Sequence, residues 1–558
     1  MGEPGTLLTR AEATDYEETS RHADVLAFCD ALAAESDLVH RSSFGVSGEG
    51  QDLVYLVISD RRCFSAERAA KLGKVIVLVE ANIHAGEVEG KEMILALARD
   101  LVRGELGKTG ERILREVCLV VVPDFNPDGN DRISPKHRAL DLTHLEGQVN
   151  PTGGVGTRYT GEGYNLNRDN TKQEAIETRN LAALYQTWWP HVFIDCHTTD
   201  GSIHAFDLTF DTSRNNDGLF AELRRDNREM LESVARRVRR RHGVTSYWYG
   251  NYATEDDPRS AWQTYPALPR FGSHYRGLLG RFDVLLETYS YLSFRRRCEV
   301  IRAWLQELLR YAAKNSDELR ERCETEERRI IARGAQPDPR HKVGLQYGVA
   351  RRAQDGALLF DYPAHALDGD TAVIDAYDEP SIRAHHYPGE HDVTYLMPHQ
   401  RTFLPVVEVT TPTAYLAPAE LAARLRGHGI AFEVLSEART FSVESYRIVK
   451  REQTHSPDVA ALVPPPGEAE VPLSAKPPPT RFETVLTVAP ERGSHDAAAG
   501  TLWVPTAQRA GTLAVLLLEP HSEDGFARWQ FLDELVQVGE LFPVHRVMGA
   551  ASSPRKAE

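Results

Sequence analysis

The chain has 558 residues, a formal net charge of -16 and 41% hydrophobic residues, enough for two or three domains with a large core and unlike a disordered composition. Such an acidic chain lacks the positive footprint that a phosphate backbone demands, and it carries no zinc-finger or RNA-binding signature, so nucleic acid is excluded as a partner. No run of about twenty apolar residues spans a membrane, and no apolar stretch of signal-peptide length follows Met1, so a cytoplasmic protein is expected unless a leader has been removed.

In chain order, the first informative segment is residues 74–80, short, β-branched and almost continuously apolar, which predicts a buried strand. It runs into Ile83-His84-Ala85-Gly86-Glu87, so His84 and Glu87 fall in the loop at its carboxyl end. A second such strand, 117–122, leads to Asn126-Pro127-Asp128-Gly129, and Tyr164-Asn165-Leu166-Asn167-Arg168-Asp169 follows. Residues 192–196 repeat the layout, with His197 where the run ends, and the run 282–286 is closed by Glu287. Carboxyl ends of strands in an open α/β sheet are where ligands and catalytic groups gather, so these segments can meet despite their separation. Two imidazoles and one carboxylate, His84, Glu87 and His197, are the ligand set of a catalytic zinc site whose fourth position is left to water. Cys196 beside His197 points to the opposite strand face, and His204 is read equally as a substrate contact or a loop histidine.

With these elements assembled, the chain resembles the M14 family of zinc carboxypeptidases: His84, Glu87, the Asn-Pro-Asp-Gly loop, Asn167-Arg168, His197 and Glu287 stand in the family's order across roughly residues 15–315. The resemblance implies an α/β fold, a zinc-carboxypeptidase-like mixed sheet flanked by helices. It also implies one Zn2+ per chain on His84, Glu87 and His197. Glu287 is then the general base that takes a proton from water and delivers it to the leaving amine, and burial at a strand edge would raise its pKa toward the working range. Asn167 and Arg168 suit a terminal carboxylate, through the guanidinium fork and a further amide donor. Arg158 is the first choice for holding the oxyanion, with Arg132 and Arg138 as alternatives. Tyr265 stands at the interval of the family's substrate-binding Tyr, although Tyr252 and Tyr275 share the stretch. One departure is Asn165, where the family often places an Asp that supports a ligand imidazole; Asp195, on the His197 face of its strand, can serve nearby. Gly272 and Ser273 fall in the region of the specificity pocket, and Asp207, Asp256 or Asp257 could bring an acidic group to it.

Residues 297–333 read as helix, including the charge-rich stretch 317–327, and 335–339 breaks the pattern. Beyond it we expect a β-rich accessory region: a domain at 340–460 with one helix at 418–426 and a strand at 431–435, a Pro-rich link at 463–479, and a C-terminal α/β segment at 480–548 around the apolar run 511–519. The peptidase domain is set at 15–334. Core packing is the expectation for Trp529. The six cysteines are sparse and form no C-x-x-C pair, which predicts buried free thiols. The sequence therefore predicts a zinc metallocarboxypeptidase cleaving a peptide or isopeptide bond beside a free carboxylate. The alternatives are a zinc deacylase or amidase on small N-acyl amino acids and an inactive M14-like binding protein. The substrate would be a peptide or amide with a free carboxylate; no oligomeric state is readable.

Overall fold

The computed structural model describes residues 7–216, 218–254, 257, 260–352, 358–361, 371–376, 393–456 and 482–549. The Pro-rich link and Asp256 lie outside the described residues. At the centre is an eight-stranded mixed sheet. Its first seven strands are β1 Val39–Val46, β2 Asp52–Ile58, β3 Val75–Ala81, β4 Val117–Val122, β5 Val192–Thr199, β6 Leu208–Asp211 and β7 Ser246–Trp248. The strand Phe282–Tyr289 completes it, in the order β1, β2, β4, β3, β5, Phe282–Tyr289, β6, β7. The four inner strands β4, β3, β5 and Phe282–Tyr289 are parallel, so their carboxyl ends share one edge.

Both faces of these strands are covered, which is why they read as unbroken apolar runs. Val75, Val77 and Val79 of β3, with Leu119 and Val121 of β4, face a core closed by helices such as Glu89–Val102 and Phe294–Lys314. Ile76, Leu78 and Val120 point the other way, into a core shared with helix Ile176–Trp188 and with Leu513, Leu516 and Phe542 near the end of the chain. The helix Gly511–Leu518, made from the apolar run of that region, has all eight residues buried.

The C-terminal region builds a six-stranded sheet in which Arg439–His455 pairs along its length with Phe482–Ala497. Segments 340–460 and 480–548, read from the sequence as separate units, thus contribute strands to the same sheet. Val393–Gln400 also pairs with Trp262–Gln263 of the preceding region.

Several local expectations change. The helical pattern 297–333 is two helices, Phe294–Lys314 and Ser316–Ala335, divided where Asn315 leaves the helical backbone at φ -117° and ψ 30° and caps the first helix, its backbone and side-chain N–H groups both donating to Tyr311 O at 3.0 and 2.9 Å. The helix expected at 418–426 opens with the 3-10 turn Ala419–Leu421 before Ala422–Gly427, and the strand expected at 431–435 is only Glu433–Val434. All six cysteines are free and buried. Among the described residues no helix is long and apolar enough to cross a membrane.

Candidate active site

The parallel edge of the sheet opens into a cavity of about 330 Å³ lined by His84, Glu87, His197 and Glu287 together with Arg138, Arg158, Asn167 and Arg168. Period-two alternation accounts for the strand-borne part. Asp195 and His197 share a face of β5, and Glu287 is the register partner of His197 on the neighbouring strand. Cys196 points to the opposite face, where its Cβ would stand 2.6 Å from any Cβ at position 90, so the helix Glu89–Val102 can lie close only because Gly90 has none.

His84 and Glu87 come from the turn between β3 and that helix, closed by Glu87 N–H donating to His84 O at 2.9 Å. Glu87 Oε1 lies 3.0 Å from His84 Nδ1, and Oε2 lies 2.9 Å from His197 Nδ1. One ligand atom from each of the three residues falls within 4.8 Å of the others. The outer ring nitrogens carry the informative contacts. His84 Nε2 meets Asn165 Oδ1 at 3.2 Å, and this oxygen also accepts the Asn167 N–H at 3.1 Å, which fixes the amide's orientation. His197 Nε2 faces Asp195 Oδ1 at 3.1 Å, while Asp195 Oδ2 is held by Arg276 Nη2 at 3.1 Å. Protons on the two Nε2 atoms, beside Asn165 Oδ1 and Asp195 Oδ1, would leave two Nδ1 lone pairs turned toward Glu87, while Asn167 Nδ2 also approaches His197 Nε2 at 3.5 Å. Lone pairs facing a carboxylate at hydrogen-bond distance call for a cation among them, so the donor set fits a metal ion of the N,N,O type that zinc favours.

Glu287 is half-buried in the cavity wall, and desolvation, reinforced by Glu87 and Asp195 and opposed by His197, pushes its carboxyl up to about 8. Of the three arginines considered from sequence, Arg138 Nη1 lies 3.2 Å and Arg158 Nη1 3.5 Å from Glu87 Oε1. Arg132 instead pairs with Glu49 at 2.6 Å and does not line the cavity. Arg138 is further engaged by Gln148 and the Thr198 carbonyl, at 3.0 and 3.2 Å, and can pass close to the ligand turn because Gly86 offers no Cβ. The Asn-Pro-Asp-Gly loop works through its backbone ties: Asn126 Nδ2 donates to Ile83 O at 3.4 Å and Arg158 O at 3.5 Å, joining the His84 and Arg158 loops.

Asn167 Oδ1 accepts the Gly272 N–H at 3.0 Å, and the Arg168 guanidinium lies 4.3 Å from the centre of the Phe271 ring. Tyr265 is in the cavity wall, flanked by Tyr249 and Phe271 with ring centroids at 5.5 and 5.2 Å. Tyr252 and Tyr275 are not: their hydroxyls meet Ile203 O and His428 Nδ1. His204 is buried against Tyr289, ring centroids 4.2 Å apart, which makes it core rather than contact. Ser273 lines the cavity, whereas Asp207 pairs with Arg296 and Asp257 is not among the lining residues. Besides Glu87 and Glu287 the acidic lining residue is Asp200, which the sequence reading did not single out, nor did it single out Tyr249, Phe271 and Leu285. Asp200 directly follows β5, so the strand-end argument that found His197 would have reached it; Tyr249 follows β7, which runs antiparallel to the inner strands, and that argument does not reach it.

Residues 25–267 match the Peptidase_M14 family, described as Zinc carboxypeptidase. Carboxypeptidase 2 of Trichophyton equinum is 22% identical over 571 residues, covering 98% of this chain and 89% of the relative. A probable carboxypeptidase 2 of Arthroderma benhamiae is 25% identical over 223 residues, 38% of this chain and 37% of the relative. Among solved structures, a metallo-carboxypeptidase from Burkholderia cenocepacia aligns over 52% of this chain and 69% of its own at 16% identity, with a TM-score of 0.37. Thrombin activatable fibrinolysis inhibitor aligns over 55% and 80% at 15% identity, with a TM-score of 0.36. Over residues 25–267 the chain is thus similar to the M14 zinc carboxypeptidases, and the likeness to carboxypeptidases that runs along 98% of its length marks it as a metallopeptidase of carboxypeptidase type.

Proposed function

We propose that this protein is a zinc-dependent carboxypeptidase that hydrolyses the bond preceding a free C-terminal carboxylate. The observation that carries the reading is the convergence of the His84 and His197 imidazoles and the Glu87 carboxylate in one cavity with Glu287, Arg158 and Arg168. A zinc ion held by His84, Glu87 and His197 would supply Lewis acidity and make water acidic enough to react near neutral pH. Arg168 grips the substrate's terminal carboxylate through its planar fork, resting on Phe271, and Asn167 adds a donor from Nδ2 because its Oδ1 is taken by Gly272. Arg158 polarises the scissile carbonyl and holds charge that develops on its oxygen. It suits this better than Arg138, whose fork is already committed to Gln148 and Thr198. Glu287 takes a proton from the attacking water and returns it to the leaving nitrogen as the carbon–nitrogen bond breaks; burial keeps its proton affinity high enough for both transfers.

The test is kcat/KM on a peptide with a free C-terminus and on the same peptide amidated there, for wild type and Arg168→Ala. The reading expects a strong wild-type preference for the free acid that Arg168→Ala removes. Equal cleavage of acid and amide by the wild type would instead point to an amidase.

A further inference from the structure

The carboxylate subsite is built on two loops, and the C-terminal region holds both. Phe271 and Gly272, which contact Arg168 and Asn167, follow directly on Arg270. Arg270 is 3% exposed and spends its donors on the C-terminal region. Its backbone N–H and Nε bond to the two oxygens of Asp524 at 2.9 and 2.8 Å, and Nη1 reaches Glu483 Oε1 at 2.9 Å. The second loop is gripped by Trp529, fully buried, whose Nε1–H donates to Thr171 Oγ1 at 3.2 Å, three residues beyond Arg168. The same indole ring meets Lys172 Nζ at 4.7 Å and the Arg270 guanidinium at 4.6 Å. Asn170 Nδ2 donates to Arg270 O at 3.0 Å and so ties the two loops together.

A buried guanidinium is costly to leave unpaired, so Arg270 is confined to where Asp524 and Glu483 stand, and its neighbour Phe271 is confined with it. Neither Asp524 nor Trp529 lines the cavity. We propose that Asp524 and Trp529 are positioning residues of the terminal-carboxylate subsite, acting through Arg270 and Thr171 to fix Phe271 and the Arg168 guanidinium. The C-terminal region is then part of the peptidase's recognition machinery, a role that rests on reading Arg168 as the carboxylate clamp.

The experiment uses zinc-loaded full-length protein and an N-blocked dipeptide with a free C-terminus. A clamp that binds substrate and transition state alike shows in KM, so Asp524→Ala should raise KM about tenfold while kcat stays within about twofold and zinc stoichiometry is unchanged. Asp524→Asn, which keeps an acceptor for the Arg270 N–H, and Trp529→Phe, which keeps a ring but loses the donor to Thr171, should give smaller rises of the same kind. In an Arg168→Ala background the Asp524 effect should vanish, which a general loss of folding would not produce. Should Asp524→Ala fail to fold, Asp524→Asn and Trp529→Phe carry the test. Wild-type KM in both of these variants overturns the inference, as does a rise that persists without Arg168. An Arg168→Ala single variant with wild-type KM removes the clamp reading, and the inference falls with it.

Discussion

The two halves of the candidate metal site are built differently. His197 and Glu287 stand on adjacent parallel strands in direct register, and His197 is backed by the carboxylate of Asp195, which is held by Arg276, a guanidinium that also donates to Asp283. His84 and Glu87 sit on a turn, and His84 is backed only by the amide of Asn165, from a loop 81 residues away. An amide orients an imidazole but lends it less basicity than a carboxylate does. The strand half therefore supplies the stronger nitrogen donor on the stiffer support. The turn half supplies the bridging carboxylate and depends on neighbouring loops for its shape.

The strongest way to break this comparison is to delete each half in turn. His84→Ala and His197→Ala should both lose stoichiometric zinc while far-UV circular dichroism stays near wild type; retention of one zinc by either variant, read by elemental analysis, would show that its half is dispensable. Glu287→Gln separates chemistry from binding. It should keep zinc and substrate affinity but lower turnover by roughly 10²–10⁴-fold. The base must be ionised, so kcat/KM should fall about tenfold per pH unit below the Glu287 pKa. That limb lies at or below about 8, because a bound cation lowers the value burial sets. A profile flat from acid to neutral pH would remove Glu287 as the base.

The unequal supports give a smaller, sharper effect. Asp195→Asn should weaken zinc binding by about 10–100-fold, measured by competition with a chelator, and Asn165→Ala should cost less than about tenfold. Asn165→Asp should tighten it. A larger loss at Asn165 than at Asp195 would reverse the comparison.

What the sequence made legible follows the same division. Apolar runs at β3, β4, β5 and Phe282–Tyr289 announce buried parallel strands, and alternation alone puts Asp195 and His197 on one face and Cys196 on the other. Loop-borne groups were harder. Arg132, Arg138 and Arg158 are chemically equivalent in the sequence. Only the closed loops send two of them to Glu87 and one to Glu49, and Arg138 does so with φ at 46°, a backbone state that no local pattern announced. The bracing by Asp524 and Trp529 was invisible for a further reason. Arg270 and Asp524 are 254 residues apart and Trp529 and Thr171 are 358 apart, and contacts at such separations leave no periodicity to read.

The central claim is zinc-dependent removal of a C-terminal residue. Its most direct test is mass spectrometry of free-acid peptides incubated with the full-length protein, metal-stripped and zinc-restored. The zinc-restored sample should lose single residues from the C-terminus, and the stripped one should leave the peptide intact. Cleavage at internal bonds, or equal C-terminal trimming in both samples, would contradict it.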